Sequence, residues 1–409
     1  MWWGWAAVAG VVLLYAAYSR RMSNSVVTGP MVFVFLGWLV SDSGLDLVKV
    51  EIDGDLTKAL FKMTLALLLF IEASRTDVRA LRADAGWVMR LLFVTMPIVI
   101  LFGAVAAWLL FDGISVWEAA VLGVILAPTD SALGLPVVSN MAVPGRVRRT
   151  LVAESGLNDG LALPLALIFT AAALADLGIE VESGPVEFIL KQVGVGVVGG
   201  VVFGAAAGWL VAQALGGLNI SSKWLNLAPI AAALLAYAGT EALEGNGFVA
   251  VWVAGLLYGW VLRGVTEDEH EYAGFTEDLN GILVLASFFV FGATMLGHAL
   301  DVVSVEMVVF GLLSLIVIRP LATVVGFVGD KSSLISKLFI GWFGPRGIAS
   351  IIIVAIVVKE AGLAKDDVLV AITSIAVALS VYLHGVTAAP GASWFGRWAT
   401  EETNSATGK

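Results

Sequence analysis

The sequence predicts an all-α polytopic membrane protein with about thirteen transmembrane helices. The 409-residue chain is 59% hydrophobic and only 14% charged, whereas soluble domains carry about 25% charged residues. Apolar stretches of about 18 residues or more, the length that crosses about 30 Å of hydrocarbon, recur from one end of the chain to the other. The segments between them are too short to form a soluble domain of ordinary size.

The predicted spans follow these apolar stretches in chain order. They cover about residues 3–19, 25–41, 57–74, 87–111, 116–140, 149–175, 186–215, 224–243, 246–262, 278–297, 303–328, 335–358 and 367–389. Basic loops follow the odd-numbered spans, at Arg20 and Arg21, Arg75, Arg79 and Arg82, Arg146, Arg148 and Arg149, Lys223, Arg263, and Lys331 and Lys337. Acidic loops follow the even-numbered spans, at Asp42, Asp46, Glu51, Asp53 and Asp55, Asp112, Asp176, Glu180 and Glu182, and Glu241 and Glu244. A missed span would have reversed this alternation from that point on, so the loops support the count of thirteen.

The same charges predict the orientation of the chain. About fifteen Lys and Arg residues lie on one side of the membrane and about six on the other, and the positive-inside rule places the basic side in the cytoplasm. The prediction is a multi-pass protein of the cell membrane, in contact with lipid, with its N-terminus outside and its C-terminus cytoplasmic. The net charge of −10 argues against nucleic acid as a partner. The sequence contains no cysteine, which excludes disulfides, thiol catalysis and cysteine-ligated metals.

Ionisable residues inside the spans are the candidates for function. A charge near the bilayer centre costs at least about 2.5–3.5 kcal/mol, so such residues are retained for a purpose. The candidates are Glu72 in span three, Asp130 in span five, Glu154 and Asp159 in span six, Arg319 in span eleven and Arg346 in span twelve. His384 in span thirteen is a weaker candidate, because a lone histidine near a helix end is more often structural.

Span six carries the sequence Glu-Ser-Gly-Leu-Asn-Asp-Gly at residues 154–160. Ser155 and Asp159 are four residues apart and share one face of the helix, while Glu154 and Asn158 share a neighbouring face. A hydroxyl and a carboxylate stacked one turn apart supply oxygen ligands, which suit a hard cation such as Na⁺. The alternative is that Asp159 only pairs with an arginine between helices, but Glu154 is available for that purpose.

Spans five and twelve each have a predicted interruption in the middle of an apolar run. Span five contains Ala-Pro-Thr-Asp at 127–130, and span twelve contains Gly-Pro-Arg-Gly at 344–347. Proline removes a helical hydrogen bond, and paired interruptions in two halves of a chain are typical of a transporter's midplane site. We expect Asp130 and Arg346 to offset the partial charges of the exposed half-helix ends. The alternative is two ordinary proline kinks.

Span seven places glycines at intervals of four, at Gly196, Gly200, Gly204 and Gly208. This spacing lines one face of the helix with glycine and allows another backbone to approach closely. We interpret the stripe as a packing surface rather than a ligand site.

These motifs together resemble the monovalent cation/proton antiporters. The match is closest in plan to the electroneutral sodium/proton antiporters of the NhaP type, which are related to the animal sodium/proton exchangers. The resemblance implies two inverted repeats whose discontinuous helices, spans five and twelve, cross at their unwound middles. It divides the chain into a dimerisation domain (1–85 and 179–300), a core transport domain (86–178 and 301–390) and a short cytoplasmic tail (391–409). A homodimer is implied in the same way.

The resemblance also implies roles for individual residues. Asp159 would bind the cation or the proton, and Asn158 would be its partner in the electroneutral branch. Na⁺ would be held at Asp159, Ser155, the carbonyl of Thr129 and Glu72, with Asp130 as an accessory acid. Glu154 would form a buried salt bridge with Arg319 or, as the second choice, with Arg346. No cofactor is expected beyond the transported Na⁺ or Li⁺ and H⁺.

The expected function is therefore electroneutral exchange of one Na⁺, or Li⁺, for one H⁺, in which both ions compete for Asp159. We do not expect an enzyme, because the midplane residues include no histidine cluster and no nucleophile–base set. A K⁺/H⁺ antiporter of the same fold remains open, because oxygen ligands do not separate K⁺ from Na⁺. A cation channel is a weaker alternative, since buried arginines and paired helix breaks argue against an open pore.

Overall fold

The computed structural model describes residues 2–22, 26–47, 54–76, 81–178, 187, 190–217, 221–265, 269–355 and 366–407. Over these ranges the secondary structure is helical, with no β-strand. The loop residues Glu51, Asp53, Arg79, Glu180 and Glu182 and the predicted end of span twelve at 356–358 lie outside the described residues.

The helices are numbered here in chain order. They are α1 Trp2–Met22, α2 Gly29–Val40, α3 Asp55–Arg75, α4 Leu81–Arg90, α5 Met96–Leu110, α6 Val116–Ile125, α7 Ser131–Val138, α8 Gly145–Asp176, α9 Gly196–Gly216, α10 Ser222–Glu241, α11 Gly247–Leu262, α12 Glu269–Phe291, α13 Gly297–Asp301, α14 Val305–Leu312, α15 Arg319–Gly326, α16 Leu334–Trp342, α17 Ile348–Ile353 and α18 Asp366–Thr407. Wider π-helical turns join α4 to α5, α12 to α13 and α14 to α15, and one leads into α9. Pro97 and Pro320 each follow such a turn closely, and the wider turn gives the proline ring room beside the preceding carbonyls.

By length and composition, six helical segments in the described ranges can cross a membrane. They are Asp84–Leu110, Gly145–Asp176, Leu190–Gly216, Gly274–Asp301, Val305–Gly326 and Val368–Glu402. Shorter apolar helices include Gly29–Val40, Val116–Ile125 and Gly247–Leu262. The chain is therefore a multi-pass membrane protein, while the count of thirteen spans and the inverted repeats remain predictions.

The two predicted interruptions are confirmed. Span five consists of α6 and α7, which are separated at residues 126–130, and span twelve consists of α16 and α17, separated at 343–347. Each break contains a proline, which removes a helical hydrogen bond, and the second break also contains two glycines.

The last helix extends beyond the predicted end of span thirteen near residue 389. Helix α18 passes through Pro390 and continues to Thr407, so the segment predicted as a tail is helical as far as it is described. Phe395 is buried and stacks on Phe339 of α16, with ring centroids 3.9 Å apart. This packing compensates for the hydrogen bond that Pro390 removes.

The glycine stripe of α9 is a packing surface, as the spacing indicates. Gly200 and Gly204 lie so close to α11 that neither position has room for a Cβ. On its other side, α11 approaches α3 in the same way, through Gly255 against Phe70 and Gly259 against Ser74. Helices α3, α9 and α11 therefore form one tightly packed unit beside the ion-binding candidates of α8.

Candidate ion-binding site

The two helix breaks are in direct contact, and Asp130 connects them. The backbone N–H of Asp130 donates to the carbonyl of Pro345 over 2.8 Å. Its Oδ1 accepts from the N–H groups of Ala132 and Leu133 at 2.8 and 3.1 Å, and its Oδ2 accepts from the N–H of Ile348 at 2.7 Å. One carboxylate thus caps the N-termini of both α7 and α17, where the helix dipoles are positive.

The side chain of Arg346 binds the opposite end of the first break, next to α6. Its Nη1 donates to the carbonyls of Ala127 and Pro128 at 2.8 and 3.1 Å, just beyond the C-terminus of α6. The side chain is fully buried, and these carbonyls lack the helical partners that a continuous helix would supply. The hydrogen bonds agree with the expectation that Asp130 and Arg346 offset the half-helix ends.

The two glycines of the second break make room for charged side chains from other segments. A Cβ at Gly344 would occupy the position of the Arg319 guanidinium, and a Cβ at Gly347 would occupy that of the Asp130 carboxylate. The Gly-Pro-Arg-Gly sequence therefore does more than interrupt a helix. It allows an arginine and an aspartate to reach the backbone of the break.

A buried ion pair joins α8 to α15. Arg319 Nη2 lies 2.7 Å from Glu154 Oε1, and each side chain is 2% exposed. Arg319 is the first of the two partners expected for Glu154. The second, Arg346, is directed to the carbonyls of the first break instead.

Two residues of the span-six motif hold the first break. Ser155 Oγ donates to the carbonyl of Thr129, and Asn158 Nδ2 donates to Thr129 Oγ1, both over 2.8 Å. All three residues are buried. The Thr129 carbonyl and the Ser155 hydroxyl, both expected as cation ligands, therefore lie within hydrogen-bonding distance of each other.

Asp159 lies beside these groups and is 2% exposed. Its Oδ1 is buried and has no hydrogen-bond partner among the described residues. A buried polar atom without a partner is uncommon in folded proteins and calls for an explanation, such as an ion or a proton that is not part of the protein.

Glu72 reaches the site from α3. Ser131, the first residue of α7, donates a hydrogen bond to Glu72 Oε1, while Oε2, like Asp159 Oδ1, is buried without a hydrogen-bond partner in the described part of the chain. A Cβ at Gly156 would lie 3.1 Å from the Glu72 carbonyl, so α3 and α8 approach closely here. The sequence-predicted ligands thus come together from α3, α8 and the first break.

A cavity of about 310 Å³ leads to Glu72 from the end of the bundle that carries the basic loops. Its lining includes Glu72, Arg75, Thr76, Asp84, Val88, Val138, Arg148, Arg149, Val152 and Ala153. A smaller cavity of about 10 Å³, lined by Thr129, Asp130 and Ser155 among others, shares Val138 and Val152 with it. Proposed ligands line both cavities, Glu72 the larger one and Thr129 and Ser155 the smaller one.

His384 and Ser380 support the second break, and only His384 was considered from the sequence. The N–H of Arg346 donates to Ser380 Oγ at 2.7 Å, Ser380 Oγ lies 3.2 Å from His384 Nδ1, and His384 Nε2 lies 2.8 Å from the carbonyl of Trp342. His384 Nδ1 also lies 3.0 Å from the carbonyl of Ser380. His384 lies well inside α18 rather than near its end, because that helix continues to Thr407. One sequence signal could have identified Ser380. It lies four residues from His384, the same spacing as that between Ser155 and Asp159.

Replacement of His384 by alanine is expected to destabilise the protein. The buried carbonyl of Trp342 would lose its donor, and an unsatisfied buried polar group costs about 1–3 kcal/mol. Thermal unfolding in detergent measures the effect, with His298→Ala as the control because His298 is exposed. Equal melting temperatures for the two variants would contradict the supporting role of His384.

Comparisons with known proteins agree with this arrangement. The chain matches the family described as sodium/hydrogen exchanger, transmembrane, over residues 8–394. It is 27% identical over 402 residues to the K(+)/H(+) antiporter NhaP of Alkalimonas amylolytica, covering 95% of this chain and 66% of that protein. It is 25% identical over 388 residues to the K(+)/H(+) antiporter NhaP2 of Shewanella sp. (strain MR-4), covering 93% and 64%. The chain thus spans just under two thirds of the length of these relatives.

A sodium-linked relative and its structure also match. The Na(+)/H(+) antiporter 1 of Methanocaldococcus jannaschii is 28% identical over 233 residues, which is 55% of this chain and 53% of that protein. The solved structure of the sodium proton antiporter MjNhaP1 from the same organism, at pH 8, superposes with a TM-score of 0.77 at 22% identity, covering 97% of this chain and 96% of that one. This similarity establishes the fold. From its match over residues 8–394, the chain belongs to the sodium/hydrogen exchanger family, whose members are secondary transporters and not enzymes.

Proposed function

We propose that this protein exchanges a monovalent cation for a proton across the membrane, with Asp159 as the group that carries either one. The observation that carries the proposal is the Oδ1 atom of Asp159, which is buried and has no hydrogen-bond partner in the described part of the chain. A bare carboxylate in such a place is unfavourable. Either a proton or a cation relieves that cost, and the two exclude each other.

The stoichiometry follows from the number of groups that change state. In this proposal Asp159 alone alternates between proton and cation, while Glu72 keeps one protonation state throughout the cycle. Asn158 cannot titrate. One proton is therefore exchanged for one monovalent cation, with no net charge moved. The cation ligands would be Asp159, Ser155, the Thr129 carbonyl and Glu72, with Asp130 as the accessory acid.

Alternating access would come from movement between the two parts of the chain. The proposed core, residues 86–178 and 301–390, contains the bonds of Asp130, Arg346 and the Glu154–Arg319 pair that connect its helices. The proposed dimerisation part, residues 1–85 and 179–300, contains the unit of α3, α9 and α11. The homodimer, the outside N-terminus and the cytoplasmic C-terminus belong to the same proposal.

Na⁺, with Li⁺, is the cation proposed first, in line with the family resemblance and with the name of the M. jannaschii relative. K⁺ is a second candidate, because two relatives that match over nearly the whole chain are named as K⁺/H⁺ antiporters. The oxygen ligands suit either ion.

Proton flux in proteoliposomes tests the proposal and separates the candidates. A trapped pH dye would report exchange on addition of Na⁺, Li⁺ or K⁺, with and without a clamped membrane potential. We expect exchange with Na⁺ and Li⁺ that does not change when the potential is clamped. Exchange with K⁺ alone would favour the second candidate, and single-channel currents or the absence of any cation-dependent proton flux would refute antiport.

A further inference from the structure

Trp252 of α11 touches the ion-binding helix on both sides of the Asp159 turn. Its Nε1 donates to the carbonyl of Gly156 at 3.1 Å. Its indole ring lies against Gly160, where no Cβ could be accommodated. The two glycines are four residues apart, so they share the face of α8 on which the indole rests.

The position of Trp252 along α11 places it farther along the bundle than the cavity. Helices α11 and α3 run in the same direction, since Gly255 meets Phe70 and Gly259 meets Ser74. The cavity meets α3 at Glu72 and the residues after it. Trp252 precedes Gly255 by about one turn, so it lies at the level before Phe70, away from the cavity.

The contacts of α8 also place Trp252 away from the cavity. The cavity is lined by Val152 and Ala153, whereas Trp252 meets α8 at Gly156 and Gly160, one to two turns farther along. Along α8, Trp252 therefore lies at the level of Asp159, farther from the cavity than Val152 and Ala153.

The hydrogen bond of Trp252 also connects two groups of helices. Within each group, close contacts hold the helices together. Helix α11 is held to α3 and α9 by close glycine contacts. Helix α8 is held to the first break through Ser155 and Asn158, and to α15 through the Glu154–Arg319 pair. Glycine at 156 and 160 leaves α8 without side chains at this contact, so the helix can slide past the indole once the hydrogen bond is released.

We propose that Trp252 is a latch: its hydrogen bond to Gly156 stabilises the arrangement in which the cavity is open, and this bond breaks in every transport cycle. This proposal adds to the antiport mechanism. It rests on the proposed function, because a transport cycle presupposes transport. Trp252 is a positioning residue that acts on Asp159 through α8. It contributes no ligand to the ion.

Trp252→Phe removes the donor and keeps most of the ring. A neutral hydrogen bond contributes about 0.5–1.5 kcal/mol net, which corresponds to about a two- to tenfold change in an equilibrium constant. The population of the arrangement in which α8 has moved away from α11 should therefore rise by about two- to tenfold. The matched control is Trp260→Phe, because Trp260 lies on the same helix and is 54% exposed.

A single cysteine can report this population, because the sequence contains no cysteine of its own. Leu163 is 2% exposed and follows Gly156 by seven residues, on the same face of α8. In a Leu163→Cys background, a thiol reagent would react only when this buried face of α8 becomes exposed, so its rate follows the population of that arrangement.

We expect Trp252→Phe to be labelled about two- to tenfold faster than Trp260→Phe, at a temperature well below the melting temperatures of both variants. Equal labelling rates would overturn the latch. Labelling requires no ion flux, so it can succeed even if the wild-type protein proves not to be an antiporter. Conversely, normal cation/proton exchange with equal labelling rates would reject the latch and leave the proposed function intact.

Discussion

Asp159→Asn is expected to reduce cation-dependent proton exchange to the background of protein-free vesicles. The amide is nearly isosteric with the carboxylate, so the fold and the contacts of α8 should persist. It can neither take up the exchanged proton nor supply negative charge to a cation. The measurement is the response of a trapped pH dye in proteoliposomes to Na⁺, Li⁺ and K⁺.

Asp176→Asn is the matched control for this experiment. Asp176 is the last residue of the same helix and is exposed to solvent, so its replacement should leave exchange unchanged. Gel filtration and thermal unfolding should show that both variants assemble like the wild type. If Asp159→Asn retained exchange, the exchanged proton would have to reside on another group.

Glu154→Ala is expected to be the most destabilising of the single substitutions considered. Arg319 is 2% exposed and would remain buried without its carboxylate partner. Removal of one member of a buried ion pair typically costs about 3–5 kcal/mol. Arg319 also fills the space beside Gly344, so its displacement would disturb the second break. A lower free energy of unfolding in a denaturing-detergent titration measures the effect.

The double variant Glu154→Met, Arg319→Met provides the control. It removes both charges and keeps much of the volume, and such replacements are often neutral or stabilising. We expect it to recover most of the stability lost in Glu154→Ala. A normal melting temperature for Glu154→Ala combined with a changed cation affinity would instead make Glu154 part of the ion site.

The helix breaks could be predicted from sequence because their signal is local. Proline and glycine beside a charge in an apolar run have few structural explanations in a membrane. The expectation that Asp130 and Arg346 offset the half-helix ends followed from the same residues. Their hydrogen bonds agree with it, although the capping of two helices by one carboxylate was not part of that expectation.

The contacts between distant segments could not be predicted in this way. Either Arg319 or Arg346 could have paired with Glu154, and the choice depends on the space beside Gly344. The bond from Trp252 to Gly156 joins residues 96 positions apart, and a tryptophan in an apolar span gives no signal of such a partner. The continuation of α18 to Thr407 was likewise not predicted, and it brings Phe395 onto Phe339 of α16, a contact between distant segments.

Cation identity is not determined by the residues of the site. Carboxylate, hydroxyl and carbonyl oxygens bind both Na⁺ and K⁺, and relatives named for each ion match this chain. Selectivity therefore depends on small differences in the size and rigidity of the site, which have no signature in a single sequence.

Proton release on cation binding is the most direct measurement of the central claim, the competition of a proton and a cation for Asp159. The purified protein would be titrated with Na⁺ or K⁺ in weakly buffered detergent solution, with a pH dye for the protons and calorimetry for the bound cation. We predict that saturation releases one proton per chain when Asp159 starts protonated, and none in Asp159→Asn. On the acid side the apparent Kd should rise by about tenfold for each unit of pH lost. Full cation occupancy without proton release would contradict the account.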